Sequence, residues 1–302
     1  KQYEILSVRY RYESINIYVI LLTLIKFGVK NFVNNYKKYF IDLVSPKVVF
    51  TAIDNNPAFY NLKNINSKPH YVSFQNGMRD GKFYKKCQNY IKKTKQKLKC
   101  DYMFVFGQNE KKRLSKIIEG NIYPLGNAVN NHNQIKKKGN LNKVTSMMYI
   151  SIYNFRGRGN WAQDKKIFNL LIKFCNKRKI KLSYASKVGP DKETFFRNNL
   201  NKGDWTYLPR IGPRETYKNL NKHQMVVFTY STLGFEALSK GLKCVAFYKN
   251  FPIDGNYVKY PKSGFFWNEA KNNRQMEKTL NRVINSSNKT WKKVVNKYSI
   301  YS

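Results

Sequence analysis

The feature that most constrains the fold is an alternation. Short apolar runs rich in Val, Ile, Phe and Tyr recur along the chain, each closed by Pro, Gly, Asn or Asp and followed by a stretch of helical character. This is the pattern of an α/β protein with parallel sheets. Val48–Ile53 lies between Pro46 and Asp54-Asn55-Asn56-Pro57, Tyr71–Phe74 stops at Gln75-Asn76-Gly77, and Tyr102–Phe106 stops at Gly107. A helix is expected over Asn109–Ile118 and a short strand over Ile122–Asn127. A second series of strands follows: Met147–Ile152, Ile180–Ala185, Trp205–Leu208, Met225–Thr229 and Val245–Tyr248. Its helices are expected at Lys165–Lys177, where Ile167, Leu170, Leu171 and Phe174 have helical spacing, and at Glu193–Leu200 and Arg214–Leu220. Two more are expected at Leu233–Lys240, closed by Gly241, and over the basic stretch Asn273–Asn296.

Between the two series, His132–Lys143 is polar, basic and without apolar periodicity, and reads as a linker. Two domains are therefore predicted, residues 1–140 and 141–302. No repeat of fixed period is visible.

Composition limits what such a chain does. Aromatic residues make up 16% of its 302 residues, which excludes a chain disordered throughout. Lys and Arg number 57 against 17 Asp and Glu, a formal charge of +40 that draws the protein to nucleic acid, anionic lipid or phosphorylated ligands. Basic residues are spread along the chain and no DNA- or RNA-binding motif is present, which argues against nucleic acid as the partner. Cys87, Cys100, Cys175 and Cys244 form no CxxC pair, so they read as buried free thiols and fit a reducing compartment. His70, His132 and His223 share no spacing that would build a metal site, and His223, just before a strand, reads as structural. No run reaches the roughly 18–20 apolar residues of a membrane span. Ile17–Ile25 is too short, is followed by Lys26, and reads as a buried helix. The first residues mix charge and aromatics and carry no signal-peptide pattern.

The most informative stretch is Met225–Tyr248. A buried strand runs into Thr229-Tyr230-Ser231-Thr232-Leu233-Gly234, where a helix begins. Helix N-termini offer unpaired N–H groups and the positive end of the dipole to phosphate. Ser231 and Thr232 add hydroxyls, and Gly234 lets a ligand or a neighbouring backbone approach closely. Glu236 follows one turn into the helix. A capping box would need Ser or Thr at position 233, which is Leu, so a ligand contact to a ribose is the expected role of Glu236.

The stretch STLGFEALSKGLKCVAFY resembles the donor-binding segment of glycosyltransferases of the GT-B fold, with two Rossmann-like domains facing across a cleft. More narrowly, the chain resembles bacterial surface-carbohydrate (capsule and lipopolysaccharide) biosynthesis proteins of that fold. SPKVVFTAIDNNPAFY, YVSFQNGMRD, CDYMFVFG, YPLGNAVNN and SGFFW occur in the expected order, and the resemblance covers roughly residues 40–270. The first domain is somewhat smaller than is usual there, and a start at Lys1 rather than Met is consistent with a lost first strand.

The resemblance implies a nucleotide-sugar donor in the second domain, and a carbohydrate or lipid-linked acceptor mainly in the first. Donor binding is expected from Ser231, Thr232, Gly234 and Glu236, with Lys187 after one strand and Arg156 after another. Arg156 shares the loop Arg156-Gly157-Arg158-Gly159, which can fold over an anion. On the acceptor side stand Gln75, Asn76, Gly77 and Arg79. An inverting transferase needs a base for the acceptor hydroxyl; Asp54 is the first candidate and Asp80 the second. With no DxD motif, no metal or other cofactor is expected, and basic residues take the place of a metal on the diphosphate. Lys85, Lys86, Lys92, Lys93, Lys95, Lys97 and Lys99 form a cluster expected to hold the protein on the cytoplasmic face of an anionic membrane. The competing activities are a polyol-phosphate transferase with a cytidine diphosphate donor and a basic nucleic-acid-binding protein; a scaffold role without activity is a further alternative.

Overall fold

The computed structural model describes residues 15–77, 79, 81–127, 143–157, 159–247 and 263–298. Asp80, Arg158, Tyr248 and most of the expected linker lie outside these. The chain divides into two compact units, Lys1–Leu125 and Gly126–Ser302, so the division falls before the polar segment rather than within it.

The first unit opens with two helices, α1 (Ile17–Phe27) and α2 (Phe32–Val44). Asn16 caps α1, its Oδ1 accepting from the Val19 amide at 3.1 Å, and Gly28 ends it at φ +64°. Four strands follow, β1 (Val48–Thr51), β2 (His70–Phe74), β3 (Leu98–Val105) and β4 (Ile118–Pro124). They lie side by side in that order, all parallel. Helices α3 (Pro57–Ile65), α4 (Gly81–Thr94) and α5 (Gln108–Leu114) connect them. Tyr60, Leu62, Tyr71, Leu98, Met103 and Val105 form the centre of the core. The helix expected over Asn109–Ile118 stops at Leu114, because Ile118 already begins the buried edge of β4.

One expectation is overturned here. The run Ile17–Ile25 is helical but not buried. Only Val19 and Thr23 of α1 are enclosed, in a small seam with Tyr36 and Phe40 of α2, while Ile17, Tyr18, Leu21 and Ile25 face outward. A helix that is apolar on all sides cannot bury every side against one neighbour.

The second unit holds six parallel strands: β5 (Ser146–Ile150), β6 (Lys181–Ala185), β7 (Trp205–Leu208), β8 (Met225–Phe228), β9 (Lys243–Phe247) and the short β10 (Trp267–Asn268). Their order is β10-β9-β8-β5-β6-β7. This is the doubly wound order, in which the chain starts in the middle, winds to one side, then returns and winds to the other. The helices are α6 (Trp161–Arg178), α7 (Glu193–Asn199), α8 (Pro213–Asn221), α9 (Thr232–Ser239), α10 (Asn273–Ile284) and α11 (Asn288–Tyr298). The last two replace the single helix expected over Asn273–Asn296. Every residue of β8 and β9 is buried, as expected of strands covered on both faces. Even Lys243 is enclosed, its ammonium donating to the carbonyls of Ile284, the last residue of α10, at 2.7 Å and of Ser286 at 2.8 Å. All four cysteines are free and buried, and burial pushes the thiols of Cys87, Cys100 and Cys175 up to about 12.

Candidate functional site

In parallel α/β sheets, ligands gather at the carboxyl edge, above the point where the winding reverses. In the second unit that point lies between β5 and β8. Two segments leave the sheet there: residues 151–160 after β5, and residues 229–231 after β8.

The first segment is folded tightly back on itself. The Ser151 hydroxyl donates to Asp164 and accepts from the Tyr153 amide at 3.0 Å. Gly159, at φ +82°, passes so close to Tyr153 that a Cβ would stand 2.8 Å from its backbone. Asn160 then caps α6, its Oδ1 accepting from the Gln163 amide at 3.1 Å. Asp164 is buried beneath the segment and accepts from Tyr149 at 2.6 Å; burial raises its carboxyl. Arg156 and Gly157 stand exposed at the tip. Lys187, half-buried, follows the neighbouring strand β6.

The second segment leads into α9. Ser231 is the N-cap residue, half-buried, and its side chain makes no capping bond; Thr232 is half-buried as well. Gly234 has a different partner from the one its sequence position invites. A Cβ there would lie 2.2 Å from the Phe228 ring, so the glycine brings α9 down onto β8 rather than admitting a ligand. Glu236 is buried, with Oε1 accepting from Asn127 Nδ2 at 2.6 Å and Oε2 from the Tyr217 hydroxyl. Burial raises its carboxyl. It thereby ties α9 to α8 and to the start of the unit; a ribose reaching it would share oxygens that already accept. His223 is structural, bridging the Asn219 carbonyl at 2.7 Å and Ser183 Oγ at 2.9 Å.

The first unit gathers its own group at its carboxyl edge. Asp54 is fully enclosed after β1. Its Oδ2 accepts from Arg79 Nε at 2.6 Å, and its Oδ1 accepts from the Asn76 amide at 3.0 Å and from the other side of the Arg79 fork. Arg79 also donates to Asn76 Oδ1 at 2.5 Å. Gln75 is locked by its neighbours: its Oε1 accepts from the Phe106 amide at 2.8 Å, and its Nε2 donates to Gly77 O at 3.0 Å and to Glu110 Oε2 at 3.3 Å. Gln75, Asn76, Gly77, Arg79 and Asp54 are thus brought together, with Asp54 and Arg79 holding the turn and no Asp54 oxygen exposed to a substrate.

Glu110 is the residue that the sequence does not single out. It lies in the first turn of α5, buried, with Oε2 accepting from the Tyr84 hydroxyl at 2.9 Å. Its Oε1 has no hydrogen-bond partner among the described residues. Burial pushes the carboxyl up to about 7, against the opposing pull of Tyr84, Arg113 and Arg79. Oε1 is itself enclosed, so the burial that raises the Glu110 carboxyl also withholds it from solvent. In sequence it is an ordinary acid at a helix start; only the tertiary approach of Gln75 and Tyr84 distinguishes it.

Comparisons with known proteins join these observations. Residues 159–301 match the pattern of a family described as "putative O-antigen biosynthesis protein". No curated protein matches the chain in sequence. Among solved structures, a "putative UDP-N-acetylglucosamine 2-epimerase" from Listeria monocytogenes superimposes with a TM-score of 0.59 at 12% identity, over 91% of this chain and 75% of that one. The UDP-GlcNAc 2-epimerase of Neisseria meningitidis, bound to UDP-GlcNAc, gives 0.57 at 10% identity, over 91% and 77%. The MnaA–UDP structure from S. aureus gives 0.52 at 12% identity, over 96% and 80%. The fold is that of these two-domain Rossmann-like enzymes, GT-B, as the ordered segments of the sequence imply. The family match covers the second unit, and the solved structures share the fold.

Proposed function

We propose that the protein transfers a sugar from a nucleotide-activated donor to a growing surface polysaccharide or a lipid-linked acceptor, with the donor held by the second unit. One observation carries this reading. The reversal point of the six-stranded sheet is flanked by the starts of two helices, α6 and α9, in the unit that matches the O-antigen family. The start of α9, with the Ser231 and Thr232 hydroxyls, meets the diphosphate. Arg156 and Lys187 supply positive charge in place of a metal as the leaving diphosphate takes up the bond electrons. The second lone pairs of the Glu236 oxygens remain for ribose hydroxyls. In the first unit, Gln75, Asn76 and Gly77 face the acceptor. Of the two enclosed carboxyls there, Glu110, with one oxygen free of described partners, rather than the ion-paired Asp54, is the one assigned the acceptor proton.

Calorimetric titration with UDP, CDP and GDP tests the reading. Saturable binding of one of them supports it, and CDP alone would favour a polyol-phosphate donor. Failure of all three would remove it. The solved neighbours favour a second reading, epimerisation of the sugar nucleotide itself. Proton NMR of UDP-N-acetylglucosamine incubated with the protein separates the two, since epimerisation needs no acceptor.

A further inference from the structure

In a parallel sheet every strand starts at one edge and ends at the other. Residues just before the four strands of the first unit therefore share one edge, and residues just after them share the opposite one. The two edges differ in charge. Lys47 precedes β1, Lys68 precedes β2, Lys95 and Lys97 precede β3, and Lys116 precedes β4; all five are exposed. The loops after β1, β2 and β3 at the carboxyl edge, residues 52–56, 75–80 and 106–107, contain no lysine, and their one arginine, Arg79, is paired with Asp54. Lys68 meets Asp42 at 3.6 Å and Lys97 meets Glu119 at 3.8 Å, both on the surface. Lys47, Lys95 and Lys116 have no described carboxylate within salt-bridge distance.

Apolar surface adjoins this rim. Helix α2 ends just before Lys47 with Leu43 and Val44 exposed, and α1 of the same hairpin turns Ile17, Leu21 and Ile25 outward. The one carboxylate between residues 15 and 53 is Asp42.

We infer that the amino edge of the first unit's sheet, with the α1–α2 hairpin beside it, docks on an anionic membrane surface. The lysines meet lipid phosphates and the exposed apolar side chains enter the interface. A second copy of the chain fits this face poorly, because each copy carries +40 and the lysines would face one another. Nucleic acid would use the lysines but leave the apolar side chains uncovered. Docking through the amino edge leaves the opposite edge, with Glu110 and Gln75–Gly77, clear of the lipid. The inference adds the orienting surface to the proposed transfer to a growing polysaccharide, whose distal end can reach an edge turned away from the lipid, and rests on that reading only for its purpose.

The test is co-sedimentation of the full chain with vesicles of phosphatidylcholine alone or mixed equally with phosphatidylglycerol. The mixed vesicles should bind, the neutral ones at least tenfold more weakly, with binding falling as salt rises. Replacing Lys47, Lys68, Lys95, Lys97 and Lys116 by Gln should weaken binding at least a hundredfold, since each basic residue near the surface contributes about 1 kcal/mol. Leu21→Gln with Ile25→Gln should weaken it about tenfold at unchanged charge. All these positions are exposed, and unchanged thermal melts confirm that the variants fold. Equal binding to both vesicles, no binding, or full binding by the lysine variant overturns the inference. So does tighter binding to a single-stranded RNA through the same lysines, or dimers in light scattering that the Leu21/Ile25 pair abolishes. A missing response to UDP, CDP and GDP would instead sink the proposed function, whatever the vesicles show.

Discussion

At the carboxyl edge of the first sheet, Asp54 and Arg79 form a buried ion pair, and Glu110 accepts from the neighbouring Gln75. At the same edge of the second sheet the two carboxylates, Asp164 and Glu236, are withdrawn into the interior with both oxygens occupied. What stands forward there is a helix start, hydroxyls and an exposed arginine. The proposed function assigns the two edges different work: an edge that receives a diphosphate must not present negative charge, whereas an edge that activates a hydroxyl needs a carboxyl able to take a proton. Within the first group a further contrast matters. Asp54 is paired with a cation and saturated; among the described residues no cation is bonded to Glu110, and one of its oxygens has no partner.

The largest expected effect breaks the paired carboxylate. Arg79→Leu leaves the Asp54 charge enclosed without its partner and should cost about 3–5 kcal/mol in urea unfolding. Arg156→Leu, at the exposed tip in the second unit, should change stability by less than about 0.5 kcal/mol. Equal losses would erase the distinction between the two edges.

Glu110 sharpens the comparison through pH. Its carboxyl is raised from the ordinary 4.5 to about 7. The folded state thus holds a proton that the unfolded chain has released, and stability contributed by the protonated form is complete below pH 4.5 and lost as pH rises through 7. The loss amounts to roughly 3 kcal/mol. Glu110→Gln should flatten this part of the stability curve and leave the protein more stable than the parent at pH 8. A parallel curve for the variant would show that Glu110 does not titrate there.

Gly234→Ala presses a methyl group into the Phe228 ring. It should cost about 1–3 kcal/mol in thermal or urea melts, with part of the loss recovered when Phe228→Leu is added. A neutral outcome would reopen the space at α9 to a ligand. Glu236→Gln is the finest cut. The fold should survive, and UDP affinity should fall about tenfold, the value of one charge-assisted hydrogen bond. Unchanged affinity would leave Glu236 as the tie between Asn127 and Tyr217 alone.

Much of the architecture was legible along the chain, for a physical reason. Parallel strands buried on both faces are continuous apolar runs, and Pro46, Gly107 and Gly241 mark their limits or those of their helices. The turn at Ser231–Gly234 could be located because hydroxyls and glycine between a buried strand and a helix are conspicuous. What those residues touch was not legible. Gly234 signals a close approach, but only packing shows that the Phe228 ring makes it. Glu110 looks like any acid at a helix start until Gln75 and Tyr84 close over it. The run Ile17–Ile25 shows apolar character but not burial, because burial depends on how many neighbours the helix finds. Lys47, Lys68 and Lys116 are far apart in sequence and share an edge only once the strands are known to be parallel.

The central claim is that the reversal point between β5 and β8 holds a donor nucleotide. Titration of ¹⁵N-labelled protein with the nucleotide that binds tests it directly. The account predicts that the amides of Gly157, Thr232 and Leu233 shift first and saturate together, with the core amides of β8 unmoved. Saturable shifts confined to other segments, or none with UDP, CDP or GDP, would contradict it.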